Sequence, residues 1–440
     1  MPLISDLPAN GKILLRNATV PACLTQGLPE DVGWGPDGLV SLDIEINQRR
    51  IVSLSPAGTI SASISGSVDL DDRMVWPCFV DLHTHIDKGH IWPRRQNPDG
   101  TRAGALSSTA KDRVSNWSAA DVRARMDFSL RCAYAHGTAA IRTHIDSTPP
   151  QHDISWPILS EIRKNWADRM TLQAVCLEPI WGYSDKGFGK EIADMMIEYD
   201  GILGAVLNIQ ENTDSLLDFI IGLAIDRNLA LDFHVDEMGD PEARSFDHIC
   251  QALIRNGYDH PVNVGHCCSL AVRPEIEVRQ ALDLAVEAGL SVTSLPMCNM
   301  FLQGRNTGYT PRWRGVTILH ELKNCGIPVA IASDNTRDPF YAFGDLDVAE
   351  VFTQAVRIAH LDYPTGDWPM AVTSTPADIM GLSHVGRLSV GGTVDIVIFS
   401  ARSFSEFLSR PQTDRLVIRQ GRKIDTTLPD YRELDVFVGH

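Results

Sequence analysis

The chain has no excess of positive charge. Its 39 lysines and arginines face 56 aspartates and glutamates, for a formal net charge of −17. Nucleic acids and anionic membrane surfaces both require basic patches, so neither is an expected partner. No apolar run is long enough to span a bilayer. The opening segment Met1 to Pro8 has no basic stretch followed by a long apolar one, so no secretory leader is expected there. The nine cysteines form no Cys-x-x-Cys pair, which points to reduced thiols and a cytoplasmic setting. Low-complexity tracts and short-period repeats are missing. So is the paired His-x-Glu and Pro-Cys-x-x-Cys signature of the small zinc deaminases.

What remains is a chain of 440 residues, 44% apolar, enough for a large barrel and an accessory domain. Short β-type runs punctuated by Gly and Pro fill the first zone: Ile13 to Leu15, Leu39 to Ile46 and Ile51 to Leu54. Similar runs return near the end, at Asp395 to Phe399 and Arg415 to Ile418. Between them, apolar strand candidates alternate with amphipathic helices. They start at Phe79, Ala139, Leu172, Leu203, Leu229, Val262, Leu290 and Val329. Most are continuous rather than alternating, as in parallel strands buried on both faces. The expected fold is α/β, a (β/α)₈ TIM-type barrel over residues 76–384. Residues 1–75 plus 385–440 are expected to form a small β-sandwich domain. A doubly wound sheet is the alternative, but it does not readily bring the ends of distant strands together.

Active sites of such barrels lie at the C-terminal ends of the strands. The first candidate ends in His83-Thr84-His85, two imidazoles that share a face because strand side chains repeat every two residues. The fifth ends in His234, followed by Asp236 and Glu237. The sixth ends in His266 and the eighth in Asp334. A lone histidine at a strand end is more often a packed residue than a ligand, but this recurrence at successive ends argues for a metal site. Three imidazoles and one carboxylate (His83, His85, His234 and Asp334) suit Zn²⁺ or Fe²⁺ and are too nitrogen-rich for Mg²⁺ or Ca²⁺. Glu237 is placed to shuttle protons, its bland alternative being a solvated loop carboxylate. His266 is read as a hydrogen-bond donor to the substrate, its alternative being a further metal ligand, and His144 as either an orienting residue or a packed core histidine. The remaining histidines, His440 among them, are given no role.

These residues together resemble the amidohydrolase superfamily, whose opening motif is matched by Pro77-x-Phe79-Val80-Asp81-x-His83-x-His85. Gly386-Arg387-Leu388-x-x-Gly391 and Asp395-Ile396-Val397 resemble the strand that rejoins its small domain. Arg142 to Asp146, His234 to Glu237, and Ser333-Asp334-Asn335-x-x-Asp338-Pro339-Phe340 are similar to the bacterial cytosine deaminase group. The resemblance implies a hydrolase acting on carbon–nitrogen bonds other than peptide bonds. It would attack an amino-bearing ring carbon of a cytosine-like heterocycle with metal-activated water, release ammonia and serve pyrimidine metabolism. It implies one divalent metal, since the fourth strand candidate, Gly204 to Gln210, has no lysine to bridge two. Glu237, His266 and Asp334 would be catalytic.

Pro179 falls where the cytosine deaminases carry a substrate-reading glutamine, so Glu178 is the expected substitute by a one-residue shift. Gln303, Trp181 and Asn335 complete the expected substrate-binding set, and Trp313 is a further stacking candidate. Lys88 is read as a loop or surface residue. Asp87-Lys88 with Ser333-Asp334-Asn335 also resembles amidohydrolases that remove N-alkyl amines from s-triazine rings. That chemistry, or opening of a cyclic amide, is the first alternative, and a non-enzymatic metal-dependent binding protein is the second. The expected partner is a small heterocycle, and a homo-oligomer is compatible with the sequence.

Overall fold

The computed structural model describes residues 12–28, 32–60 and 66–439. The opening segment Met1 to Pro8 and His440 therefore lie outside the described residues. The chain divides into two compact units. One comprises the described residues up to Val80 with Cys132–Ala139 and Asp347–Leu428. The other comprises Asp81–Arg131, Ala140–Leu346 and the residues from Pro429 onward.

The first unit is built from sheets. Strand Leu39–Asn47 pairs antiparallel with both Arg50–Pro56 and Lys12–Pro21, and Ser67–Asp69 adds to the latter in parallel. A second sheet runs in the order Arg422–Lys423, Leu416–Arg419, Ile396–Ile398, Val75–Pro77. Alternating residues of both sheets (Leu42, Ile44, Leu15, Ile396 and Ile418 among them) share one buried apolar cluster, as period-two patterning requires. Trp76 stacks on Phe407 at 5.2 Å between ring centroids, with Phe352, Phe399 and Phe404 packed edge-on. Gly137 sits at φ 94°, and a Cβ there would meet Val397 at 2.6 Å. Only glycine fits that turn without displacing the sheet.

All eight expected strands are present: β1 Phe79–Thr84, β2 Thr138–Asp146, β3 Thr171–Leu177, β4 Leu203–Val206, β5 Leu231–Val235, β6 Val262–His266, β7 Ser291–Ser294 and β8 Val329–Ile331. β4 to β8 follow one another as parallel neighbours, and β2 pairs in parallel with β3. Parallel bridges join Val175 to Ile202, next to β4, and Thr84 to Asp334. Helices fill most of the intervals, giving a TIM-barrel-like α/β fold. Every residue of β1 and β2 is buried, so their polar members, Asp81, His83, Arg142, His144 and Asp146 among them, must find partners inside the fold. Helix α1 (Arg102–Asn116), capped by the Thr101 side chain, follows β1 and brings further residues to the site.

A polar layer crosses the strands. Arg142 of β2 donates to Asp232 of β5 at 2.9 Å and to Gln173 of β3 at 3.0 Å. Asn263 of β6 donates to Asp232 at 3.0 Å and accepts from Thr293 of β7 at 2.9 Å. Burial pushes the Asp232 carboxyl up to about 6 even though Arg142 opposes it. Among the described residues, no helix is long and apolar enough to cross a membrane.

Candidate active site

His83 and His85 leave β1 on one face, as the period of two dictates, and meet His234 from the end of β5. Nε2 of His234 lies 3.1 Å from Nε2 of His83 and 3.2 Å from Nε2 of His85. Asp334, just beyond β8, places Oδ1 3.2 Å from His85 Nε2 and 3.7 Å from His83 Nε2. Four donor atoms about 2.0–2.1 Å from one tetrahedral cation would be separated by about 3.3–3.4 Å. The four separations above, 3.1, 3.2, 3.2 and 3.7 Å, bracket that value. Both oxygens of Asp334 are buried and, apart from the weak donor Cys298 nearby, lack a hydrogen-bond partner among the described residues. Such atoms are costly unless something else satisfies them. The donor set therefore fits a divalent cation.

Electrostatics agrees. Burial, then the neighbouring rings and cations, holds His83, His85 and His234 well below the usual histidine range, so they stand neutral and ligand-ready. Burial, then the charge of Glu237, drives the Asp334 carboxyl well above its ordinary value, a tension that a bound cation would relieve. Asp334 at φ 64°, His266 at φ 72° and Asp236 at φ 46° all adopt left-handed backbone. Each such residue costs of order 1–3 kcal/mol and is typical of a functional strand end.

His144 comes closer than its position in the sequence suggests. Its ring lies 3.9 Å from that of His83 and 4.6 Å from that of His234, centroid to centroid. Ligand-capable atoms of His83, His144 and His234 lie within 4.8 Å of one another, as do those of His83, His266 and Asp334. Nδ1 of His266 faces the Asn299 amide nitrogen at 2.9 Å, and its Nε2 is buried without a partner among the described residues. Asn299 donating to Nδ1 would leave the proton on Nε2, and the flipped amide would place it on Nδ1. Glu237 is buried beside it, its Oε2 accepting from Arg102 Nε at 2.7 Å. Burial alone would raise this carboxyl, but His266 and Arg102 outweigh it and hold it below its ordinary value.

A cavity of about 280 Å³ opens onto these groups. His85, His234, Glu237, His266, Asp334, Asn335 and Trp181 line it, so most of the expected residues are brought together. Two are not. Leu177 and Pro179 line the cavity, and Glu178 between them turns away, as strand alternation demands. Its carboxylate accepts instead from Thr148 at 2.8 Å. Gln303 borders a separate loop cavity and donates to the Glu237 carbonyl at 3.1 Å, fixing that backbone. Trp313 packs against Gly239. Lys88, expected near the surface, is buried and lines the cavity with Asp146, Arg102 and Arg113. Asp146 carried a readable signal: it lies two residues beyond His144 on the same face of β2. The α1 arginines had none, because helix α1 reaches the cavity only through tertiary packing.

The amidohydrolase family matches residues 193–425, a stretch that holds His234, Glu237, His266 and Asp334. A pterin deaminase from Rhizobium rhizogenes (strain K84 / ATCC BAA-868) is 51% identical over 432 residues, 98% of each chain. The chain belongs to the amidohydrolase family. Like the rest of this metal-dependent family, it is a hydrolase of carbon–nitrogen bonds other than peptide bonds, which removes the binding-protein alternative. An N-isopropylammelide isopropyl amidohydrolase from Pseudomonas sp. (strain ADP) is 24% identical over 396 residues, 87% of this amidohydrolase and 93% of that one. In structure, the chain is similar to 5-methylcytosine deaminase from Klebsiella pneumoniae. The TM-score is 0.80 at 22% identity, over 95% of this chain and 98% of that one.

Proposed function

We propose that this amidohydrolase is a deaminase of pterin-type rings. Water replaces the 2-amino group of a 2-amino-4-oxopteridine, leaving a 2,4-dioxopteridine and ammonia. The observation that carries this reading is the 51% identity, across 98% of both chains, to a protein named pterin deaminase. The cytosine-like expectation is refined rather than discarded, since a pterin contains a fused aminopyrimidinone with an amino-bearing ring carbon. Residues 76–384 are read as a closed (β/α)₈ catalytic barrel. Residues 1–75 and 385–440 are read as the small β-sandwich domain.

His83, His85, His234 and Asp334 would hold one cation, Zn²⁺ or Fe²⁺, the choice their three nitrogens and one carboxylate favour. When bound, such a cation supplies Lewis acidity that can bring the pKa of water down to about 7. Glu237, ionised at rest, takes a proton from the attacking water and passes it to the ring nitrogen beside the amino-bearing carbon. His266 donates from Nε2 to the attacking oxygen as negative charge builds there. A second transfer through Glu237 protonates the amine, and ammonia departs. Asn335 and Trp181, on the cavity wall, contact the ring. Glu178 supports Thr148 rather than touching substrate, and Gln303 fixes the Glu237 backbone.

The test is product release from metal-loaded protein offered pterin, cytosine, 5-methylcytosine and N-isopropylammelide. Ammonia from pterin with the highest kcat/KM is expected. Silence on pterin, or isopropylamine as the sole product across the panel, would overturn the reading.

A further inference from the structure

We infer that Lys88 and Asp146 form the donor–acceptor pair that reads the lactam edge of the substrate ring, with Arg113 fixing Asp146. This rests on the deaminase reading above and names the groups that give it specificity. Lys88 Nζ lies 2.7 Å from Asp146 Oδ1, and Arg113 Nη1 lies 3.0 Å from Asp146 Oδ2. The Lys88 and Asp146 side chains are 5% and 7% exposed, and all three residues line the cavity that His85, His234 and Asp334 also line. The cluster draws on the loop after β1, the last residue of β2 and helix α1. The Asp146 amide is itself anchored on Asp87 Oδ2 at 2.8 Å.

Burying a lysine against a carboxylate is an expensive way to gain stability, because desolvation offsets most of the attraction. The pair also leaves capacity unused. Asp146 occupies one of the three Nζ donors, and each carboxylate oxygen can accept more than one hydrogen bond. Facing a cavity, the two present an N–H donor next to an anionic acceptor. A lactam presents the complement, C=O next to N–H. In a 2-amino-4-oxo ring the lactam N3–H is bonded directly to the amino-bearing carbon, so recognition and reaction are one bond apart. A cytosine-type ring has an unprotonated nitrogen at that position, and its lactam N–H lies farther from the amino-bearing carbon. Glu178, the other carboxylate near this wall, is turned onto Thr148 and does not line the cavity.

The experiment compares pterin with 2-aminopteridine, which lacks the 4-oxo group, on wild type, Lys88→Met and Lys88→Gln, all metal-loaded. A site built around a polar group rejects analogues lacking it by large factors. Lys88→Met should lower kcat/KM for pterin about 100-fold or more. The pterin to 2-aminopteridine ratio should fall at least about tenfold, with Lys88→Gln between the two. Metal content per chain should stay at the wild-type value. Binding of 2,4-dioxopteridine, followed by its fluorescence, should weaken in parallel. If Lys88→Met does not fold, Arg113→Gln carries the comparison, since Arg113 is 23% exposed, and the ratio must fall there too. An unchanged ratio and unchanged product binding in folded, metal-replete variants would overturn the inference while leaving the deaminase reading in place. Wild-type silence on both rings would overturn that reading and this inference with it.

Discussion

Replacing Arg142 with methionine tests how the site is supported from below. Arg142 and Asp232 form a pair whose side chains are 5% and 0% exposed, joined at 2.9 Å. Removing the guanidinium leaves Asp232 with the Asn263 amide as a donor and takes two contacts from Gln173. Breaking a buried pair on one side costs about 3–5 kcal/mol, because it strands an uncompensated charge. Arg142→Met should lose that much stability, measured by urea unfolding of metal-loaded protein with far-UV circular dichroism and an unchanged m-value. Replacing both partners, as Arg142→Met/Asp232→Leu, should recover most of the loss. The sign with pH also follows. Asp232 has a folded pKa of about 6, raised above its unfolded value. The folded state therefore binds more protons, and this residue's contribution falls as pH rises through that window and then levels. Asp232→Asn should flatten that slope. A single-variant loss below about 1 kcal/mol, the range of a surface pair, would refute the reasoning.

Glu237→Gln removes the proton shuttle without removing its volume. Turnover should fall about 10²–10⁴-fold with metal content unchanged, read by ammonia release and elemental analysis; wild-type turnover would dismiss the role. Arg102→Gln removes a cation that helps hold Glu237 ionised. Because Glu237 must be ionised to accept a proton, the acidic limb of the kcat/KM profile should move to higher pH. An unmoved limb would separate Arg102 from Glu237.

Much of the barrel was legible because buried strands carry apolar runs, as β4 and β8 do, even though β1 and β2 also bury polar residues. The histidines and Asp334 were legible because chemistry at strand ends interrupts those runs. Lys88 was not, since its burial depends on Asp146 and Arg113, remote in sequence and brought close only by the fold. Glu178 does not line the cavity, for a local reason. A shift of one residue along an extended segment reverses a side chain's direction, so the position next to Pro179 cannot inherit its outlook. Gln303 lies in the right region, yet its amide serves the backbone of Glu237, a choice that residue type cannot foretell.

The central claim is that His83, His85, His234 and Asp334 hold one divalent cation on which hydrolysis depends. Elemental analysis of purified wild type, His234→Ala and Asp334→Ala, each paired with an ammonia-release assay on pterin, tests it most directly. About one Zn²⁺ or Fe²⁺ per wild-type chain, lost together with turnover in both variants, is the predicted result. Full occupancy and undiminished turnover in either variant would contradict it.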